Sequence, residues 1–203
     1  MLLAYGGHTV NQTLLIDALW PDSPGDSGEQ AFRTTLSRLR KLLQHDDALR
    51  LEDRHLSLDW GYVWVDSMVF NRRAHLLDQT NKTSTQRALS LYRGPFLQGE
   101  PSSWALVFRE RLRTHYMSMA AGHGTMLEQD GNWSEALECY LRVIEVEPLA
   151  EIFYRRLINI YANRSQRAEA LAIYQRCRHA LLGGLRISPS LETQSLYQRL
   201  INS

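Results

Sequence analysis

Residues 29–44 read EQAFRTTLSRLRKLLQ, and two kinds of side chain alternate through them at helical spacing. Phe32, Leu36, Leu39 and Leu43 recur at i, i+4, i+7 and i+11, which puts them on one face of a helix. Arg33, Ser37, Arg40, Lys41 and Gln44 fall on the opposite face, with Thr34 and Arg38 along its flank. The stretch holds four cations (Arg33, Arg38, Arg40, Lys41) against one anion, Glu29. A rod with an apolar back and a front of Arg, Lys, Ser and Thr suits docking on a phosphate backbone while testing base edges. Taken alone, the same face also fits an ordinary solvated amphipathic helix, so the flanking sequence has to decide.

Upstream, Leu2-Leu3-Ala4-Tyr5 before Gly6-Gly7 predicts a helix end with a glycine stop. Asn11 is a cap for a helix from about Gln12 to Trp20, with Leu14, Leu15, Ala18 and Leu19 inside and Pro21 at its exit. PDSPGDSGEQ, residues 21–30, is a loop by composition, and Ser27 or Gly28 should precede the basic helix. Downstream the period changes from helical to alternating. Leu49–Leu51 and Leu56–Asp59 flank a turn at Asp53-Arg54, and Tyr62–Val65 is β-branched and aromatic. Helix, turn, basic helix and hairpin is the element order of a winged helix-turn-helix.

From Asp66 onward every periodic stretch is helical. Phe70, Ala74 and Leu77 form one stripe, and Ala88, Leu89 and Tyr92 another. A long helix from about Trp104 to Gln129 should bury Trp104, Val107, Phe108, Leu112, Tyr116 and Met119. The pattern Ala136-x-x-x-Tyr140 recurs 34 residues later as Ala170-x-x-x-Tyr174, with Pro148 at the exit of the first copy. A small residue where two antiparallel helices approach, with an aromatic one turn on, resembles the tetratricopeptide repeat. In the second copy Leu182 stands where the proline would be, and Gly183-Gly184 is expected to end the helix. Ser188-Pro189 should start a last helix covering the open end of the array.

Charge is distributed unevenly along a chain whose net formal charge is +1. Residues 1–70 hold six Lys and Arg against ten Asp and Glu, a net −4, while residues 71–203 are +5. A cationic helix in an acidic segment fits a local docking surface better than general affinity for nucleic acid. No apolar run approaches the roughly 18 residues of a membrane span, and no signal-peptide pattern opens the chain, so a cytoplasmic protein without membrane contact is expected. Cys139 and Cys177 suggest neither a disulfide framework nor a metal site and read as small buried side chains. The seven histidines lack ligand spacing and nucleophile motifs, and His123 between Gly122 and Gly124 reads as a helix-surface or packing residue. No cofactor, metal or catalytic residue is expected, and an enzyme is disfavoured.

Together AFRTTLSRLRKLL (31–43), the hairpin, YRGPFL (92–97), Trp104, RERL (109–112), the two repeats and LRISPSLETQSLY (185–197) resemble the bacterial transcriptional activator domain. This is the module of SARP-type regulators of secondary metabolism and of large MalT-like regulators, and the resemblance spans essentially the whole chain. It implies a mainly α protein: a truncated OmpR-type winged helix with a small β-hairpin at residues 1–66, then a tetratricopeptide-like domain at 67–203. It also implies an initial sheet and complete first helix that this sequence lacks, so the chain is expected to be the C-terminal part of a longer signal-responsive activator.

By position, Arg33, Thr34, Ser37, Arg38 and Lys41 would meet promoter DNA from the recognition helix, and Arg54 and His55 from the wing. Asp22, Ser23 and Asp26 would belong to the loop that touches RNA polymerase. The competing reading is a tetratricopeptide-like interaction module without its own DNA binding. Its partner groove would use Trp104, Tyr116, Tyr154 and Tyr161, alongside Tyr140 and Tyr174, and serve self-association or other domains of a longer regulator. Read as core, the same aromatics simply fill the space between helices. Trp20, Trp60 and Trp64 are expected in the core or between domains.

Overall fold

The computed structural model describes residues 1–23, 25–76 and 81–202. Pro24 and Leu77, named above in the loop and on the Phe70 stripe, lie outside the described residues. The chain is mainly helical, with a three-stranded antiparallel sheet near its start. It divides into two compact units, Met1–Arg72 with Phe96–Leu112, and Arg73–Pro95 with Arg113–Ser203. Phe96–Leu112, assigned by sequence to the helical part, clusters with the first unit.

In the first unit a single turn over residues 2–5 ends as expected: the Gly7 amide donates to the Leu2 carbonyl and the Gly6 amide to the Leu3 carbonyl, both at 3.0 Å. Strand β1 (Val10–Asn11) leads into α1 (Gln12–Leu19), whose cap is the Asn11 side chain accepting from the Thr13 amide at 2.8 Å. Helix α2 spans Asp26–Leu43, three residues earlier than the loop-like composition suggested. Ser27 and Gly28 are therefore helical. A Cβ at Gly28 would lie 2.5 Å from the Ser23 carbonyl oxygen and 2.8 Å from Ile16 Cγ2, so glycine here lets α1 approach α2. Asp26 and Glu29 occupy the first turn, where unpaired amides favour anions.

Strands β2 (Leu49–Glu52) and β3 (His55–Leu58) form the expected hairpin, with Leu51 opposite Leu56. Its turn residues Asp53 and Arg54 both have positive φ, 47° and 62°. The sequence did not announce β1, which pairs with β3 through Val10–Leu56 and Asn11–His55 and makes the sheet three-stranded. Two residues are too short a run to show alternation. The core joins Val10, Leu15, Phe32, Leu36, Leu49 and Leu56.

Several expectations about burial fail in this unit: of the α1 residues expected inside, Leu15 is buried but Leu14, Ala18 and Leu19 are exposed, because the helix meets the core through Leu15 and Ile16. Leu39 and Leu43 are 40% and 37% exposed, because only the first half of the apolar face of α2 meets the sheet and α1. With Leu2, Leu3, Leu19 and Val65 they border an open apolar groove of about 400 Å3. Trp64 is 66% exposed and Trp60 is also exposed, whereas Trp20 packs against the core as expected. Helix α3 (Asp66–Leu76) follows, with Phe70 buried.

The RGPFLQGEP loop and α5 (Ser103–Gln129) explain why YRGPFL and RERL occur together. Arg109 donates from Nε to the Phe96 carbonyl at 2.6 Å and from Nη2 to the carbonyls of Glu100, at 3.0 Å, and Leu97. On α5 the buried stripe is Ala105, Phe108, Leu112, Tyr116 and Met119, while Val107 is 61% exposed. The i, i+3, i+7 series from Ala105 leaves Val107 on the outside.

The second unit contains α4 (Lys82–Leu89), the rest of α5, α6 (Trp133–Val146), α7 (Glu151–Asn163), α8 (Arg167–Leu185) and α9 (Leu191–Asn202). Each of α6, α7 and α8 packs on the next, and α9 returns onto α7 and α8. Ala136 and Ala170 are both fully buried, as the 34-residue repeat predicts. Gly183 and Gly184 do not end α8: the helix runs on to Leu185 and closes at Arg186, whose φ is 58°. A Cβ at Gly184 would meet Leu149 Cδ2 at 2.8 Å, so this glycine accommodates a neighbour within the helix.

The start of α9 is held by Glu151, whose Oε1 accepts from the Ser190 amide at 2.8 Å, the Ser190 hydroxyl at 2.6 Å and the Thr193 hydroxyl at 2.5 Å. Burial opposes the charged carboxylate, but Ser190, Thr193 and Arg155 outweigh it and hold its pKa below the ordinary value. A depressed folded-state pKa means that this stabilisation is present above the unfolded value of 4.5 and is lost as pH falls through the lower folded value. Chemical denaturation from pH 6 down to about pH 3 should therefore reveal a loss of stability that Glu151→Gln reduces. An identical pH slope in the variant would refute the assignment.

Candidate nucleic-acid interface

The basic face of α2 and the tip of the β2–β3 hairpin meet through one carboxylate. Glu29 pairs with Arg54 on the hairpin at 2.7 Å and with Arg33 one turn along α2 at 3.6 Å. The arginines are 70% (Arg33) and 68% (Arg54) exposed in their side chains, so these ion pairs orient guanidinium groups in water and contribute little stability. The hairpin tip is anchored from behind by the Gln12 amide, which donates to the Arg54 carbonyl at 2.7 Å. His55 is half-buried, its Nδ1 2.8 Å from the Asp53 carbonyl oxygen, and so braces the turn.

Farther along α2, Ser37, Arg38 and Lys41 are exposed and Thr34 is half-buried. Among the described residues neither Arg38 nor Lys41 has an ion-pair partner. Arg40 is different. Its Nε and Nη2 donate to the Leu49 carbonyl at 3.1 and 2.6 Å, tying the end of α2 to β2. The sequence set Arg40 among the front-face cations, but that carbonyl, out of register with any helix, is its partner.

Asp22 is exposed and Ser23 half-buried, with the Ser23 amide donating to the Trp20 carbonyl at 3.1 Å. Asp26 is not a loop residue, since it opens α2. The four aromatics suggested for a partner groove do not line one together. Trp104 belongs to the first unit. Tyr154 is fully buried with its hydroxyl on the Pro148 carbonyl, and Tyr161 is half-buried. Tyr116, 1% exposed, is core.

A family model described as "Bacterial transcriptional activator domain" matches residues 65–201. The chain belongs to that family. Over its whole length it is 28% identical to the regulatory protein AfsR of Streptomyces coelicolor and 29% identical to the regulatory protein AfsR of Streptomyces griseus. It spans only 21% and 22% of the length of these curated relatives. A structure of Mycobacterium tuberculosis EmbR in complex with a low affinity phosphopeptide superposes on the whole chain with a TM-score of 0.62 and 21% identity, over 57% of that chain. This likeness extends the resemblance in fold beyond the family match to residues 1–64, which carry the three-stranded sheet and the basic helix.

Among the described residues no helix is long and apolar enough to cross a membrane, and no group of three metal-ligating side chains occurs. Burial pushes the Cys139 and Cys177 thiols up to about 12, which keeps both protonated near neutrality.

Proposed function

We propose that this member of the bacterial transcriptional activator domain family is the DNA-reading and controlling portion of an activator. On this reading residues 1–66 bind promoter DNA, and residues 67–203 control that binding through self-association or contact with other domains. The observation that carries it is the Glu29 bridge, which holds Arg33 of α2 and Arg54 of the hairpin in one cluster. Exposed Ser37, Arg38 and Lys41 continue the same helix. Thr34 and His55 serve from its margins. Asp22, Ser23 and Asp26 are acidic or polar and suit RNA polymerase better than DNA. The protein would act in the cytoplasm, with no reaction of its own.

The test is fluorescence anisotropy of duplex DNA from the protein's own upstream region, at about 50 and about 200 mM salt. Each phosphate contact contributes about 0.9 to the slope of log K against log salt. Arg38→Ala and Lys41→Ala should each weaken binding and lower the slope by about one. An unchanged slope in both variants would remove this face from the interface.

A further inference from the structure

Glu29 stands between two guanidinium groups that come from different elements. Its Oε1 accepts from Nη2 of Arg54 at 2.7 Å, and its Oε2 lies 3.6 Å from Nη2 of Arg33. The hairpin is already tied to α2 at its base, by Arg40 on the Leu49 carbonyl, and its tip is anchored by the Gln12 amide on the Arg54 carbonyl, so the bridge adds little to the fold. Both arginines of the bridge are mostly exposed, where an ion pair contributes little stability. Arg54 also occupies an unfavourable backbone position. Its φ is 62°, at the second residue of a two-residue hairpin turn, where glycine is ordinarily found. An arginine in the left-handed region at an exposed hairpin tip, aimed back at Glu29, points to a use for the side chain rather than for the turn.

We propose that Glu29 is a positioning residue that makes Arg33 and Arg54 into one grip for a single phosphodiester of promoter DNA, and so sets the register of α2 in the groove. The inference rests on the DNA-binding reading of this face and goes beyond it. Charge sets the number: two guanidinium groups against one carboxylate leave a single positive charge, which balances one phosphodiester. Geometry sets the manner. The carboxylate presents one oxygen to each arginine, as the two non-bridging oxygens of a phosphodiester would, while most of each arginine side chain stays in water with N–H donors to offer. Because the two arms belong to the helix and to the hairpin, one phosphate gripped by both fixes the height at which α2 meets base edges. Without the carboxylate the arginines are independent cations, free to take neighbouring phosphates, and the register loosens.

The test measures anisotropy with the intact chain on two labelled duplexes, the protein's own upstream region and a scrambled duplex of equal composition, from about 50 to about 200 mM salt. Arg33→Ala and Arg54→Ala should each lower the slope of log K against log salt by about one, and the double variant also by about one, not about two. Glu29→Gln should raise the slope by about one and tighten binding to the scrambled duplex at least about threefold more than binding to the upstream duplex. Glu29→Gln/Arg33→Ala should recover the slope that Arg33→Ala loses, an effect that a purely structural role of Glu29 would not produce. The proposal is wrong if the double arginine variant loses about two, if Glu29→Gln changes neither slope nor preference, or if Glu29→Gln/Arg33→Ala stays at the slope of Arg33→Ala. A wild-type chain without salt-dependent binding would overturn the DNA-binding reading and this proposal together. Loss of slope in the Arg38 and Lys41 variants, with Arg33 and Arg54 acting independently, would overturn this proposal alone.

Discussion

Gly124→Ala should destabilise the second unit by about 2 kcal/mol, although alanine is the better helix former by about 1 kcal/mol. A Cβ at position 124 would lie 2.2 Å from Cε1, 2.3 Å from Cζ and 2.5 Å from the hydroxyl oxygen of Tyr140. That ring cannot retreat, because Tyr140 is fully buried and its hydroxyl donates to Glu128 at 2.5 Å. Glu128 in turn meets Arg156 of α7 at 3.4 Å, so a displaced ring disturbs three helices. Overpacking of this kind costs about 1–3 kcal/mol, and loss of the tyrosine–carboxylate bond about 1.5–3 kcal/mol. Gly183→Ala is the control. It sits within α8 with nothing inside 4 Å of its Cβ position, so the same substitution should leave stability unchanged or raise it by up to about 1 kcal/mol. The urea midpoint should fall for Gly124→Ala and hold or rise for Gly183→Ala. Equal shifts would mean that the contact with Tyr140 does not control the sign.

That contact also marks where sequence reasoning stops. The Ala136 and Tyr140 pattern was legible because a close helix approach demands a small residue and a neighbouring filler at fixed spacing. What Tyr140 packs against was not legible, because Gly124 lies on another helix and a glycine between helical residues reads as a flaw. The same blindness extended α8 too little, at Gly183-Gly184, and started α2 too late, at Gly28. In α8 and α2 a glycine (Gly184, Gly28) answers a tertiary neighbour, Leu149 or Ile16, rather than a local turn.

Periodicity located the basic helix but not the fate of each side chain on it. Leu39 and Leu43 continue a stripe that the sheet and α1 cover only at Phe32 and Leu36. Arg40 is drawn away to the Leu49 carbonyl, and Glu29 gathers Arg33 and Arg54 across 25 residues of sequence. His123 was readable as a packing residue, but its Nδ1, unpaired among the described residues, was not, because orphaned atoms are properties of packing. The family match covers residues 65–201 and leaves α2 outside, so the chemistry of that helix has to be read from its own side chains.

Glu147→Ala should cost the second unit about 2–3 kcal/mol. The carboxylate is 7% exposed, at the exit of α6, and each oxygen has a different partner. Oε1 accepts from the Tyr92 hydroxyl at 2.5 Å, and Oε2 from Arg113 Nε at 2.9 Å. The Tyr92 ring stacks on Tyr116 with centroids 4.3 Å apart, so one carboxylate ties the segment after α4 to both α5 and α6. Burial is the largest cause of the raised Tyr92 pKa, and the hydrogen bond to Glu147 adds to it, so the phenol remains a donor throughout the neutral range. Removing one partner from a buried pair costs about 3–5 kcal/mol. The Arg113 side chain is 35% exposed and regains water, which reduces the figure here. Glu147→Gln keeps an acceptor for Tyr92 and should cost less than Glu147→Ala. A double-mutant cycle of Tyr92→Phe with Glu147→Gln should leave a coupling of about 1 kcal/mol. Additive effects would mean that the two groups merely lie close together.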